Sequence, residues 1–134
     1  MATTNPEIHH GSCLCGGVQY VVNGPLRGVV ACHCSQCRRT SGHFAAMTSA
    51  KTADLQLTAS QTLRWYRSSP GAERGFCERC GGNLFWRQLP SDTTSITAGT
   101  LDAPTGLVME QHIFVADQSD YYRLNDDVPQ LAAW

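Results

Sequence analysis

The chain has 134 residues, a length that suits one domain with a modest hydrophobic core. Ten basic residues against eleven acidic ones leave a formal net charge of −1, and no basic stripe stands out. That balance argues against nucleic-acid binding by phosphate neutralisation, and no apolar run is long enough to span a bilayer.

In chain order, residues 1–10 read as a flexible N-terminal tail, with His9 and His10 in solvent and no apolar stretch of the secretory kind. Residues 11–134 read as a single domain. Short β-rich runs then alternate with turn residues, over 17–22, 28–33, 44–48, 55–58, 63–67, 74–76, 83–87, 95–98 and 109–116. A last short run falls at Tyr121–Tyr122. Breaks fall at Asn23-Gly24-Pro25, Ser68-Ser69-Pro70-Gly71, Leu89-Pro90-Ser91-Asp92 and Asp102-Ala103-Pro104. One helical turn fits Ser35–Thr40, and another short one fits Asp117–Tyr122. The pattern predicts a mainly β fold of small, mostly antiparallel sheets pinned by metal.

Seven cysteines carry the chemical signal, and their grouping says more than their number. They stand as Cys13-x-Cys15, Cys32-x-Cys34-x-x-Cys37 and Cys77-x-x-Cys80. An odd count and Cys-x-Cys spacing suit metal thiolates better than a secreted disulfide framework, which predicts a reducing, cytoplasmic location. A structural zinc is closed by four protein ligands, whereas a reactive one keeps three and leaves a position open. Seven therefore divides into four plus three, and into two zinc ions per chain.

Cys13, Cys15, Cys77 and Cys80 make the closed set. Each pair is followed by two glycines, which let the backbone turn so that its N–H groups face the sulfurs. Cys32, Cys34 and Cys37 make the open set. In extended backbone Cys32 and Cys34 face one side and His33 the other, while a turn through Ser35-Gln36 brings Cys37 back to complete a three-sulfur face. Such a soft site suits activation of an incoming thiol. Three alternatives stay open at this point. His43 or His112 closes the second site as Cys3His, the trio holds an open iron–sulfur cluster, or Cys34 and Cys37 form a redox disulfide.

These motifs resemble those of the glutathione-dependent formaldehyde-activating enzyme family, which includes centromere protein V among its eukaryotic relatives. The resemblance rests on Gly11-Ser-Cys-Leu-Cys-Gly-Gly17, Cys32-His-Cys-Ser-Gln-Cys-Arg-Arg-Thr-Ser-Gly42, Arg74-Gly-Phe-Cys-Glu-Arg-Cys-Gly-Gly-Asn-Leu84 and Gly99-Thr-Leu-Asp102. It implies a β-tent fold, a structural zinc on Cys13, Cys15, Cys77 and Cys80, and a catalytic zinc on Cys32, Cys34 and Cys37. The implied activity is that of a carbon–sulfur lyase joining glutathione to formaldehyde as S-hydroxymethylglutathione. One departure stands near the end. The family pattern expects a Pro before the His-Ile pair and a Trp after it, where this chain has Met109-Glu-Gln-His-Ile113 and Asp120-Tyr-Tyr122.

Arg38, Arg39 and His43 follow the open site and are candidate substrate contacts, the arginines for carboxylates and His43 for proton transfer. His112 is a second proton-transfer candidate. Expected partners are a small thiol and an aldehyde, with no nucleic acid and no membrane; the oligomeric state is not specified. The competing function is a non-catalytic, zinc-stabilised β module that binds a thiol ligand or a protein partner.

Overall fold

Among the described residues, ten short strands, one α-helix and three short 3-10 helices form between the turns. The structure, a computed structural model, describes residues 7–134. The strands are β1 (Ile8–Ser12), β2 (Gln19–Asn23), β3 (Val29–Cys32), β4 (Ala45–Lys51) and β5 (Leu55–Ala59). They continue as β6 (Leu63–Ser69), β7 (Ala72–Cys77), β8 (Asn83–Gln88), β9 (Thr93–Thr97) and β10 (Met109–Ile113). The helix, α1, spans Ser35–Ser41. Three strands pair in the order β1-β2-β5, and seven in the order β10-β3-β4-β9-β8-β7-β6. The mainly β fold expected from the alternation is therefore what forms. Every named strand pair is antiparallel except β10 with β3, which is parallel.

Two expectations need correction. Residues 8–10 are not a tail: Ile8, His9 and His10 lie in β1, in antiparallel register with Asn23, Val22 and Val21. Residues 1–6, the rest of the expected tail, lie outside the described residues. The apolar pattern missed β1 because its pairing rests on backbone hydrogen bonds, and the buried side chains come from β2. At Gly11 a Cβ would sit 2.3 Å from the Tyr20 ring, so only glycine lets the two strands approach. Tyr121–Tyr122 forms no strand: Tyr121 ends a turn and Tyr122 is irregular.

The small sheet covers one face of the large one. Tyr20 and Val22 from β2 join Ala50, Leu63, Leu84, Phe85 and Ile96 in a single buried cluster. Burying each large side chain there contributes roughly 1.5–3 kcal/mol. Alternation along the strands sends the intervening residues to the opposite face, where Met47, Ser49, Arg74, Trp86, Thr93 and Ser95 line a cavity. The large sheet thus has a packed face and a hollow one. No helix among the described residues is long and apolar enough to cross a membrane.

Candidate active site

Two groups of sulfurs assemble, and all seven cysteines are free thiols. The ligand atoms of Cys13, Cys15, Cys77 and Cys80 lie within 4.8 Å of one another. Cys13 and Cys15 sit in the connection from β1 to β2, and Cys77 and Cys80 at the turn from β7 to β8. The two short pairs therefore join the small sheet to the large one. Cys13 to Cys15 measures 3.7 Å between sulfurs, and Cys15 to Cys77 measures 3.6 Å. Tetrahedral zinc with bonds of about 2.3 Å needs sulfurs about 3.8 Å apart, so this donor set fits the ion.

Backbone donors complete the fit. The N–H groups of Gly17, Val18 and Cys80 donate to Cys15, Cys13 and Cys77 at 3.4, 3.3 and 3.4 Å. Gly16 and Gly81 make those turns at φ +79° and +77°, a conformation that side chains disfavour. The Thr62 hydroxyl lies 3.2 Å from the Cys77 sulfur and is the main cause that draws this buried thiol down to about 6.

The second group is built where a strand becomes a helix. Cys32 ends β3, Cys34 is the N-cap of α1, and Cys37 lies in its first turn. The Cys37 N–H donates to the Cys34 sulfur at 3.3 Å, and all three sulfurs lie within 4.8 Å of one another. Contact with Cys32, then Cys34 and the positive Arg74, brings the Cys37 thiol down to about 6. Contact with Cys37 and burial push Cys32 up, and burial raises Cys34. Three crowded sulfurs thus resist ionising together, and a divalent cation at their centre removes that resistance. These residues also fit zinc, with three ligands rather than four.

No imidazole caps the trio among the described residues. His43 Nδ1 is bonded to the Tyr121 hydroxyl. His33 turns to the other side of β3, as strand alternation requires, and is fully buried. There its Nδ1 lies 2.6 Å from the Tyr122 hydroxyl, and its Nε2 lies 2.9 Å from His112 Nδ1. His112 Nε2 lies 3.0 Å from Asp126 Oδ2, and this contact is the main cause that holds the Asp126 carboxyl below its ordinary value. Burial is the main cause that holds His33 below the usual imidazole range. Phe44 packs against His33 with ring centroids 5.0 Å apart.

The three sulfurs open onto a cavity of about 470 Å³. Among the described residues its lining holds Arg27 and Arg74, aromatic walls from Trp86, Phe114 and Trp134, and no aspartate or glutamate. Arg27 is held by its own bonds to the carbonyls of Gly28 and Met47, at 3.2 and 3.0 Å. Arg74 Nη2 reaches Gln36 Oε1 at 3.3 Å and the Cys37 sulfur at 3.8 Å. Arg74 Nε is a buried donor with no hydrogen-bond partner among the described residues.

Arg38, Arg39 and His43, the expected substrate contacts, do not line this cavity. Cys37 points inward from α1, and each following helical residue rotates by about 100°, which carries Arg38 and Arg39 away. Arg38 is half-buried, and its positive charge acts on Tyr122. Arg39 is exposed. His43 follows the helix C-cap at Gly42 and stacks on Tyr121. The arginines that do line it are Arg27 and Arg74. Arg74 was legible in principle, since β7 alternation places it opposite Cys77.

Comparison with known proteins agrees with this arrangement. The family model described as "Glutathione-dependent formaldehyde-activating enzyme" matches residues 8–117. An uncharacterized lyase of Schizosaccharomyces pombe is 26% identical over 121 residues, covering 87% of this chain and 85% of the relative. A crystal structure of a Rhodobacter sphaeroides protein superposes with a TM-score of 0.60 at 23% identity, over 90% of this chain and 98% of that one, and shares the fold. With the family match running from β1 past β10 and taking in both sulfur groups, the chain belongs to the glutathione-dependent formaldehyde-activating enzyme family.

Proposed function

We propose that the protein is a zinc-dependent carbon–sulfur lyase that joins a small anionic thiol, glutathione in the first instance, to a small aldehyde such as formaldehyde, and cleaves the adduct in reverse. One observation carries this reading. Three sulfurs form part of the wall of a 470 Å³ cavity that holds two arginines and no carboxylate. The volume far exceeds that of a one-carbon aldehyde, so the larger reactant defines the pocket. Its cationic lining selects a ligand bearing carboxylates.

Cys32, Cys34 and Cys37 would hold the catalytic zinc, which when bound supplies a soft Lewis-acid position that favours the thiolate form of an incoming thiol. Cys13, Cys15, Cys77 and Cys80 would hold the structural one. Arg27 and Arg74 receive the substrate carboxylates, and Gln36 holds the Arg74 guanidinium in place. Trp86, Phe114 and Trp134 keep water from the apolar stem of the ligand. In the forward direction the thiol gives up its S–H proton and its sulfur forms a bond to the carbonyl carbon as the C=O π bond breaks. The oxygen takes a proton, giving the S-hydroxymethyl hemithioacetal. In the reverse direction the hydroxyl loses its proton, the C=O π bond re-forms as the C–S bond breaks, and the departing thiolate takes a proton.

The uncatalysed reaction proceeds in water, so the test is rate above background with glutathione and formaldehyde. Saturation in both substrates supports the reading, and a rate equal to background overturns it. Arg74→Met tests the pocket separately. Its KM for glutathione should rise about 10-fold, the loss of one charge-assisted hydrogen bond, while a neutral thiol such as 2-mercaptoethanol shows little change. An equal loss with both thiols would remove Arg74 from the carboxylate site.

A further inference from the structure

Behind the sulfur trio lies a chain of polar side chains that the reaction above does not use: Tyr122, His33, His112 and Asp126, linked at 2.6, 2.9 and 3.0 Å. Its proton positions follow from one group. The Asp126 carboxylate only accepts, so a neutral His112 donates to it from Nε2–H and accepts at Nδ1. His33 Nε2–H therefore donates to His112, and His33 Nδ1 accepts from the Tyr122 hydroxyl. Each imidazole is fixed in one tautomer, and both ring nitrogens of each are used.

Both ends of this chain stand in one irregular segment, four residues apart, beyond residue 117 where the family match ends. The segment is itself tied down. His112 N–H donates to the Pro129 carbonyl and Leu131 N–H to the His112 carbonyl, each at 2.9 Å. Asp126 also accepts from the Val128 N–H at 3.4 Å. On the other side, His33 sits between Cys32 and Cys34 and its peptide N–H donates to Ile113 at 3.0 Å. With both ring nitrogens bonded and Phe44 packed on the ring, the Cβ of His33 is held in place, and with it the Cα from which the peptides to Cys32 and Cys34 run. The imidazole is thus the rear mount of two of the three sulfurs.

We infer that Tyr122, His112 and Asp126 are positioning residues which, through His33, set the spacing of Cys32 and Cys34 on the open three-sulfur face. This rests on the reading of that face as a metal site. Outer partners of metal ligands typically alter affinity by about 10–100-fold when removed. The four-sulfur group shares none of these residues and serves as a control within the same molecule.

The test uses the zinc-loaded full chain and measures zinc transfer to a chromogenic chelator. Tyr122→Phe and Asp126→Asn are conservative, at positions that are partly exposed. In each variant, release from the three-sulfur site should quicken about 10-fold or more, while release from the four-sulfur site keeps its intact rate. Asp126→Glu, which retains a carboxylate, should restore much of the slow release. Nitrogen-15 shifts should show His33 and His112 as Nε2–H tautomers in the intact chain and a changed tautomer mixture in Asp126→Asn. Unchanged release from the three-sulfur site overturns the inference, and so does equal acceleration at both sites, which would mark general loosening. Fewer than two zinc ions in the intact chain would instead overturn the metal reading beneath it.

Discussion

Cys15→Ser should abolish the cooperative thermal transition of the domain, followed by circular dichroism together with zinc content. Cys15 is exposed, so the substitution removes a ligand without opening a void in the core. Structural zinc in comparable small sites contributes about 10–16 kcal/mol in apparent binding free energy, as large as the roughly 5–15 kcal/mol net stability of a typical domain. Loss of the ion therefore outweighs what packing alone leaves. Its neighbours Cys13 and Cys77 belong to the buried cluster between the sheets, so opening the site loosens that cluster directly. Cys15→His, which supplies a nitrogen ligand at an open position, should retain a transition and most of the zinc. If Cys15→Ser melted within a few degrees of the intact chain, the four-sulfur group would have no structural role.

Cys34→Ser should have the opposite profile, with the fold kept and the reaction lost. Serine is among the preferred helix N-caps, so its hydroxyl can replace the bond that the Cys37 N–H now makes to the Cys34 sulfur. Only the thiolate disappears. Outer partners of a metal site are worth about 10–100-fold, so removing a ligand itself should lower the rate above background by at least about 100-fold. The melting temperature should stay within a few degrees, and one zinc ion per chain should remain. A variant that kept the intact rate would leave the trio without a part in the chemistry.

Much of this site was readable from spacing. The division into four and three follows from cysteine clustering, and the turn of His33 away from the sulfurs follows from strand parity. The pocket was less readable because it is made of residues far apart in sequence. Arg27 reaches it from the loop before β3, and Arg74 reaches it from β7, four strands away across the sheet. Arg38 and Arg39 looked apt because they follow Cys37, but adjacency in a helix means facing another way. The partners of His33 were hidden for a similar reason. Tyr122 and Asp126 lie in a segment that folds into neither helix nor strand, against the short runs expected there, and only the folded chain brings them behind Cys32 and Cys34. β1 escaped notice because its strand character comes from its neighbour.

The four-sulfur group also bears on how the chain is made. Cys15 and Cys77 touch across 62 residues, and the fourth thiol comes three residues later still. A nascent polypeptide cannot complete this cluster until residue 80 has cleared the ribosomal exit tunnel, and closing so long a segment carries an entropic penalty. Until then the first strands emerge with reactive thiols and an uncovered apolar face. Supply of metal during synthesis, rather than to finished protein, should therefore govern the yield of correctly assembled molecules.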